Sequence, residues 1–172
     1  MNRLNMGCGN DIKKGYINLD EAKLKGVDIA HNLEKIPYPF KKDFFDEIYA
    51  SHVLEHLNNF TDVMKELHRI SKKNAIIRIK CPYFASVTAF HPTHHVFFTT
   101  KSFNYFSPKS KNNYMVTSKF IVLKKKLKFA RKNWPISKPI EWFVNLFQDL
   151  YERFFCFIFP MQEIEFELKV IK

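Results

Sequence analysis

Apolar and polar residues alternate most regularly near the end of the chain. In EIEFELKVI, Glu163 to Ile171, the residues Ile164, Phe166, Leu168 and Val170 fall on one side and mostly charged residues on the other. A period of two marks a strand with one buried face. AIIRIKC, Ala75 to Cys81, is a β-branched strand ended by Pro82, and FDEIYAS, Phe45 to Ser51, suits a central parallel strand. Shorter strands are predicted at Arg3–Met6, Tyr16–Asp20 and Gly26–Ala30, and a less clean one at Phe120–Phe129. Helical spacing occurs in TDVMKELHRIS, Thr61 to Ser71, where Val63, Leu67 and Ile70 share a face and Thr61 and Asp62 mark the start. A single long helix is expected from Lys138 to Phe159. IPYPF, Ile36 to Phe40, is a proline-stiffened loop. Strand and helix alternate through the first half, so the pattern predicts an α/β sandwich on a mainly parallel sheet, closed by a terminal antiparallel pair with a helix between its strands.

The length of 172 residues fits one domain. Residues 1–82 form its first half, and residues 83–172 supply a loop after the fifth strand and the C-terminal helix and hairpin. A hydrophobic content of 46% excludes a disordered chain. Cys8, Cys81 and Cys156 are too scattered for a disulfide framework or a paired-cysteine zinc site. With no cationic leader and no long uncharged apolar run, a cytoplasmic protein is expected.

Charge changes the picture more. Up to Asp62 ten acids face eight bases, whereas Leu67 to Ile140 contains sixteen Lys or Arg and no Asp or Glu, within a net charge of +11. A one-signed segment favours an anionic partner: a phosphorylated or nucleotide-linked small molecule, nucleic acid, or an acidic membrane surface. Solvated lysines with no partner are the plain alternative.

Two of the four glycines lie in LNMGCGN, Leu4 to Asn10, just after the first strand. In open α/β sheets ligands sit beyond the carboxyl ends of the strands, and glycine there lets backbone approach a ligand or adopt positive φ. A phosphate-binding P-loop needs Gly-Lys-Ser/Thr, which NDIKKG does not provide. A dinucleotide fingerprint needs a third glycine where Ile12 stands and a later acid than Asp20. A nucleoside methyl donor, which has no pyrophosphate, needs neither.

LNMGCGN followed by GYINLD resembles the first motif, and the acid after the second strand, of class I S-adenosylmethionine-dependent methyltransferases. More narrowly, FDEIYASHVLEHL, Phe45 to Leu57, and DIAHNLEKIPYPF are similar to the methyltransferase type 11 group, and these elements span about the first half of the chain. The resemblance implies a Rossmann-like sandwich with an antiparallel C-terminal strand and S-adenosyl-L-methionine as cofactor. It places Gly7, Cys8 and Gly9 at the methionine moiety, Asp20 on the ribose hydroxyls, Asn32 with Leu33 beside adenine, and Ser51 and His52 along the other side. Many relatives carry Asp where this chain has Asn32. The implied acceptor is small or medium-sized, anionic or saccharide-like. An RNA methyltransferase and a non-catalytic nucleoside-binding module are the alternatives.

His91, His94 and His95 follow the fifth strand in FHPTHHVFFTT. Imidazole titrates near neutrality and suits removal of a proton from a hydroxyl or amine, so these three are the candidate catalytic residues, with interior hydrogen bonding as their alternative. No metal site is expected, because adjacent histidines point in different directions and the tract has no neighbouring acid. EWFVNLFQDLYERFFCFIF, Glu141 to Phe159, is apolar almost all round towards its end. It reads as a core helix or a homodimer face, with peripheral membrane contact as the alternative.

Overall fold

The computed structural model describes residues 1–111, 114, 116–129 and 137–172. Seven strands form one sheet in the order β3-β2-β1-β4-β5-β7-β6. They are β1 (Arg3–Met6), β2 (Ile17–Asp20), β3 (Ile29–Ala30), β4 (Phe45–Ser51), β5 (Ser71–Pro82), β6 (Lys119–Lys128) and β7 (Glu163–Ile171). The first five run parallel, and β7 pairs antiparallel with both β5 and β6. The Rossmann-like sheet with its antiparallel last strand is therefore as expected. The third strand shrinks from the expected Gly26–Ala30 to two residues, and β5 begins earlier, at Ser71.

Register sorts the strand residues onto two faces. Leu4 aligns with Ile48, Ile48 with Ile77 and Ile77 with Leu168; these and Met6, Ala50, Ile79, Ile164 and Phe166 make one wholly buried apolar face. Helix α1 (Phe60–Ile70) covers part of it with Val63, Met64, Leu67 and Ile70. The helix begins at Phe60 after Asn59, one residue ahead of the expected Thr61. Beyond α1 the cover is aromatic. A 3₁₀ segment, Ser102–Phe106, eclipses Phe103 and Phe106, as three residues per turn dictates. Phe103 stacks on Phe98 and meets Phe166 edge-on, Phe106 meets Phe120, and Phe60 touches Phe98, Phe103 and Phe106. Six of the nineteen phenylalanines are thus spent on one layer.

The opposite face is charged. Glu47, Tyr49, Arg78, Lys80, Glu165, Glu167, Lys124 and Lys126 alternate with the buried set. Arg78 bridges Glu47 at 3.0 Å and Glu167 at 2.5 Å, and Lys80 pairs with Glu165 at 2.8 Å. Parallel sheets are normally covered on both faces. Here the links at residues 7–16 and 21–28 contain no helix, and the turn at 10–16 reaches only as far as β4, with Lys13 over the Tyr49 ring and Tyr16 donating to Glu47.

The expected long helix at Lys138–Phe159 is two: α2 (Ser137–Leu146) and α3 (Gln148–Phe154), followed by turns. The break has a local cause. Asn145 donates to the Glu141 carbonyl of its own helix while clamping both the N–H and C=O of Leu127, and Gln148 donates to the Lys125 carbonyl. These amides satisfy backbone of edge strand β6 that would otherwise be unpaired. Among the described residues no helix is long and apolar enough to cross a membrane.

Candidate active site

The glycine turn, the end of β2 and the turn after β4 meet at the carboxyl ends of the parallel strands. Gly7 has φ +60, and a Cβ there would stand 2.4 Å from Cγ2 of Val53, so only glycine lets the turn pass the buried Val53. Gly9, φ +46, donates its N–H to Asp20 Oδ2 at 2.7 Å and has open space where a Cβ would lie. Oδ1 of Asp20 accepts the Ala22 N–H. The carboxylate thus fixes the turn and keeps lone pairs for further donors.

A cavity of about 390 Å³ opens here, lined by Gly7, Asp20, Glu21, Asn32, Leu33, Glu34, His52, Val53, His56, Leu57 and Asn58. Three carboxylates line it in a chain of net charge +11. The side-chain and backbone N–H groups of Asn58 hold Glu34 below the ordinary carboxylate range. Asn32 is already engaged: its oxygen accepts the Glu34 N–H and its amide donates to Glu21. His52 takes a left-handed backbone, φ 55, and its ring lies between Glu163 at 3.3 Å and Glu55 at 3.4 Å. The carboxylates of Glu163 first and Glu55 second favour the protonated ring and push its pKa up to about 9.

Three of the expected cofactor residues, Cys8, Gly9 and Ser51, lie outside this lining. Cys8 turns into the core, where burial first and Asp20 second raise its thiol pKa. Ser51 shares the charged face of the sheet, in register with Lys80. The reading of the residues missed Glu21, Glu34 and, above all, Glu55 and His56, although the last two stand inside the LEH segment it had singled out.

The histidines of the loop after β5 separate in space. The Glu55 carbonyl accepts the N–H groups of His95 and Val96 at 2.7 and 3.2 Å, which docks this loop on the 3₁₀ turn Leu54–His56. His94 and His56 rings lie 4.6 Å apart and His91 and His94 5.3 Å apart. His95 stands apart, exposed, its field reaching Glu34.

The family profile described as a methyltransferase domain, the type 11 domain, matches residues 4–79, which hold the glycine turn, Asp20 and the LEH turn. The matched residues carry a class I S-adenosylmethionine-dependent methyltransferase domain. Solved structures agree on the fold of this methyltransferase. An S-adenosylmethionine-dependent methyltransferase from Archaeoglobus fulgidus superposes with a TM-score of 0.59 at 17% identity, over 98% of this chain and 86% of that one. One from Mesorhizobium loti gives 0.58 at 11%, over 98% and 90%. The [4+2]-cyclase SpnF gives 0.61 at 12%, over 99% and 75%, a reminder that one fold carries more than one chemistry. No curated protein matches the methyltransferase's sequence.

The cofactor implied by the family is S-adenosylmethionine, and the cavity fits it. The molecule carries a sulfonium and an ammonium against one carboxylate, so a lining of Asp20, Glu21 and Glu34 complements its net positive charge. The open space at Gly9 leaves room for a ligand against backbone.

Proposed function

We propose that this methyltransferase alkylates a hydroxyl of a small or medium-sized acceptor that is anionic or saccharide-like. The carboxylate-lined cavity beside the histidine cluster is the observation that carries the reading. Asp20 would take the ribose hydroxyls, Gly7 and Gly9 the amino-acid end, and Asn32 and Leu33 the adenine, with His52 on the far wall. When bound, the cofactor supplies an electrophilic methyl group. The chain's part is to align the acceptor oxygen and receive its proton.

Hydrogen bonding separates the candidate bases. Backbone carbonyls only accept, so Nδ1 of His94, 3.1 Å from the Ala89 carbonyl, carries a proton, as does Nδ1 of His56, 3.2 Å from the Thr93 carbonyl. Both rings are left with a lone pair on Nε2. Nδ1 of His91 instead accepts the Thr93 N–H, so its Nε2 carries the proton. His56 and His94 thus present an Nε2 lone pair to the site, whereas His91 does not.

Calorimetry with S-adenosylhomocysteine tests the donor side. Wild-type protein is expected to bind, and Asp20→Ala to lose about 100-fold through two charge-assisted bonds; equal affinity in the variant would overturn the assignment. Labelled methyl transfer to a panel of sugars, sugar phosphates and RNA tests the acceptor. The RNA alternative requires affinity that falls steeply with salt. The fold weakens its motive, because Lys124, Lys126 and Lys128 stand opposite Glu167, Glu165 and Glu163, so the basic run is not one-signed in space.

One observation favours a second reading, an amphiphilic acceptor met at an anionic membrane surface. Trp142, Phe143, Leu146, Phe154, Phe157 and Ile158 are all exposed on and after α2 and α3, beside an apolar cavity of about 750 Å³. The acids of this region already have partners: Glu141 pairs with the Phe129 N–H and Lys128, Glu152 with Thr100 and Tyr83, and Asp149 with Lys101 at the surface. Co-sedimentation with phosphatidylglycerol vesicles, but not with phosphatidylcholine vesicles, is the expected outcome, abolished by Trp142→Asp with Phe157→Asp. Equal partition to neither vesicle removes this reading.

A further inference from the structure

We propose that Glu55, His56 and His94 bind one divalent transition-metal cation of the zinc type, between the donor cavity and the loop after β5. One ligand atom from each lies within 4.8 Å of the others. A tetrahedral zinc shell with bonds of about 2.0–2.1 Å needs separations of about 3.4 Å, an approach that side-chain rotation of two half-free imidazoles can supply.

Three features point to an ion and not to a chance cluster. Glu55 is 1% exposed, yet neither carboxylate oxygen receives a hydrogen bond among the described residues. The cationic group near it is His52, 3.4 Å from Oε1, and that ring is shared with Glu163. A buried carboxylate without donors is costly unless a cation compensates it. Next, the histidine tautomers are set for ligation. Both ligand imidazoles have Nδ1–H engaged by the protein, His56 by Thr93 and His94 by the Ala89 carbonyl, which presents Nε2 as the ligating atom. Metal-bound histidines are oriented in this way. Thr93 completes the arrangement: its hydroxyl accepts from His56 at 2.9 Å and donates to His91 Nδ1 at 2.9 Å, leaving His91 as an orienting neighbour. Lastly, the donor set selects the ion. Two imidazoles and a carboxylate suit zinc, cobalt(II) or iron(II) and not magnesium or calcium.

The sequence argument against a metal was sound for the tract alone. His94 and His95 do diverge, and the tract has no acid. The missing carboxylate comes from the turn after β4, which the Glu55 carbonyl pins to the loop through His95 and Val96.

The role of the ion rests on the methyl-transfer reading above. With three protein ligands a fourth position stays open, where an acceptor hydroxyl coordinated to the ion would release its proton to water at a lowered pKa. The lone pairs of His56 and His94 are then used on the ion.

Metal-stripped protein titrated with cobalt(II), read by the visible absorption of the tetrahedral ion and by elemental analysis, tests the site. One ion per chain is expected, with Glu55→Gln and His94→Ala each weakening binding by at least about 100-fold, and His95→Ala unchanged. No uptake by the wild type, or wild-type affinity in Glu55→Gln, overturns the proposal, the latter because exposed histidines would then be collecting the ion alone. Should Glu55→Gln misfold by circular dichroism, His94→Ala decides. Binding of S-adenosylhomocysteine to the metal-free protein is measured in parallel: cofactor affinity without metal uptake refutes the ion site alone, and metal uptake without cofactor affinity refutes the donor cavity alone.

Discussion

The two faces of the sheet are made from the same strands, residue by residue in alternation, and they are stabilised by opposite means. One face buries Leu4, Ile48, Ile77, Phe166 and their neighbours under α1 and a phenylalanine layer. The other meets water across a lattice of Arg3, Glu47, Arg78, Glu167, Lys80 and Glu165. The difference teaches how a parallel sheet can do without a second helical layer. Short links at residues 7–16 and 21–28 leave no chain to cover the second face, so that face is kept soluble by charge. The carboxylate-lined cavity loses nothing by this, because it lies at the strand ends, where the glycine turn, Asp20 and the LEH turn meet.

The largest expected effect is on the packed face. Phe103 is fully buried between Phe98, Phe60 and Phe166. Phe103→Ala should cost about 3–5 kcal/mol in urea unfolding. A loss similar to that of a surface change would mean that the aromatic layer does not act as the missing helix.

That first face was legible before any coordinates, because a period of two shows directly in EIEFELKVI and helical spacing shows in TDVMKELHRIS. The glycine turn was legible too, since Gly7 and Asp20 sit at fixed offsets from short strands. What stayed hidden depends on contacts between distant segments. The basic run from Leu67 to Ile140 reads as one-signed until antiparallel pairing sets Glu163, Glu165 and Glu167 against Lys128, Lys126 and Lys124. The break between α2 and α3 escaped because the segment is apolar on all sides, and the residue responsible, Asn145, acts by reaching β6. Glu55 and His56 were in view as a motif, but their neighbour His94 is brought to them by a loop clamp that no spacing rule encodes.

An intermediate effect is expected where charge supports the packed face. Glu66 on α1 accepts the Tyr38 N–H at 2.6 Å and a two-pronged contact from Arg69, which also donates to the Tyr38 and Phe40 carbonyls. This holds the proline loop against the helix. Burial, the largest single influence, raises the Glu66 pKa, but Arg69 and the Tyr38 N–H together outweigh it, so the group titrates below its ordinary value of 4.5. A carboxyl depressed in the folded state contributes stability that is present above the unfolded pKa and lost as pH falls through the folded one. Glu66→Gln is therefore expected to cost about 1.5–3 kcal/mol at neutral pH and to cost progressively less below about pH 4.5. A cost independent of pH would show that shape, and not charge, holds the loop.

The smallest effect is expected on the charged face, where it tests the comparison most directly. Arg78 spans three strands, from Glu47 on β4 to Glu167 on β7, and is central to the lattice by position. Its side chain is 48% exposed, however, so water and salt compete for both carboxylates. Exposed pairs contribute about 0.2–1 kcal/mol, and part of that is offset by the entropy of holding a long side chain. Arg78→Ala should then lower stability by no more than about 1 kcal/mol at low salt, with the difference vanishing at high salt as screening shortens the reach of the remaining charges. Solubility should suffer more than stability, because the variant takes a partner from Glu167 on a face that depends on charge for its contact with water. A loss as large as that of Phe103→Ala would mean that the lattice, not the phenylalanine layer, holds the strands together.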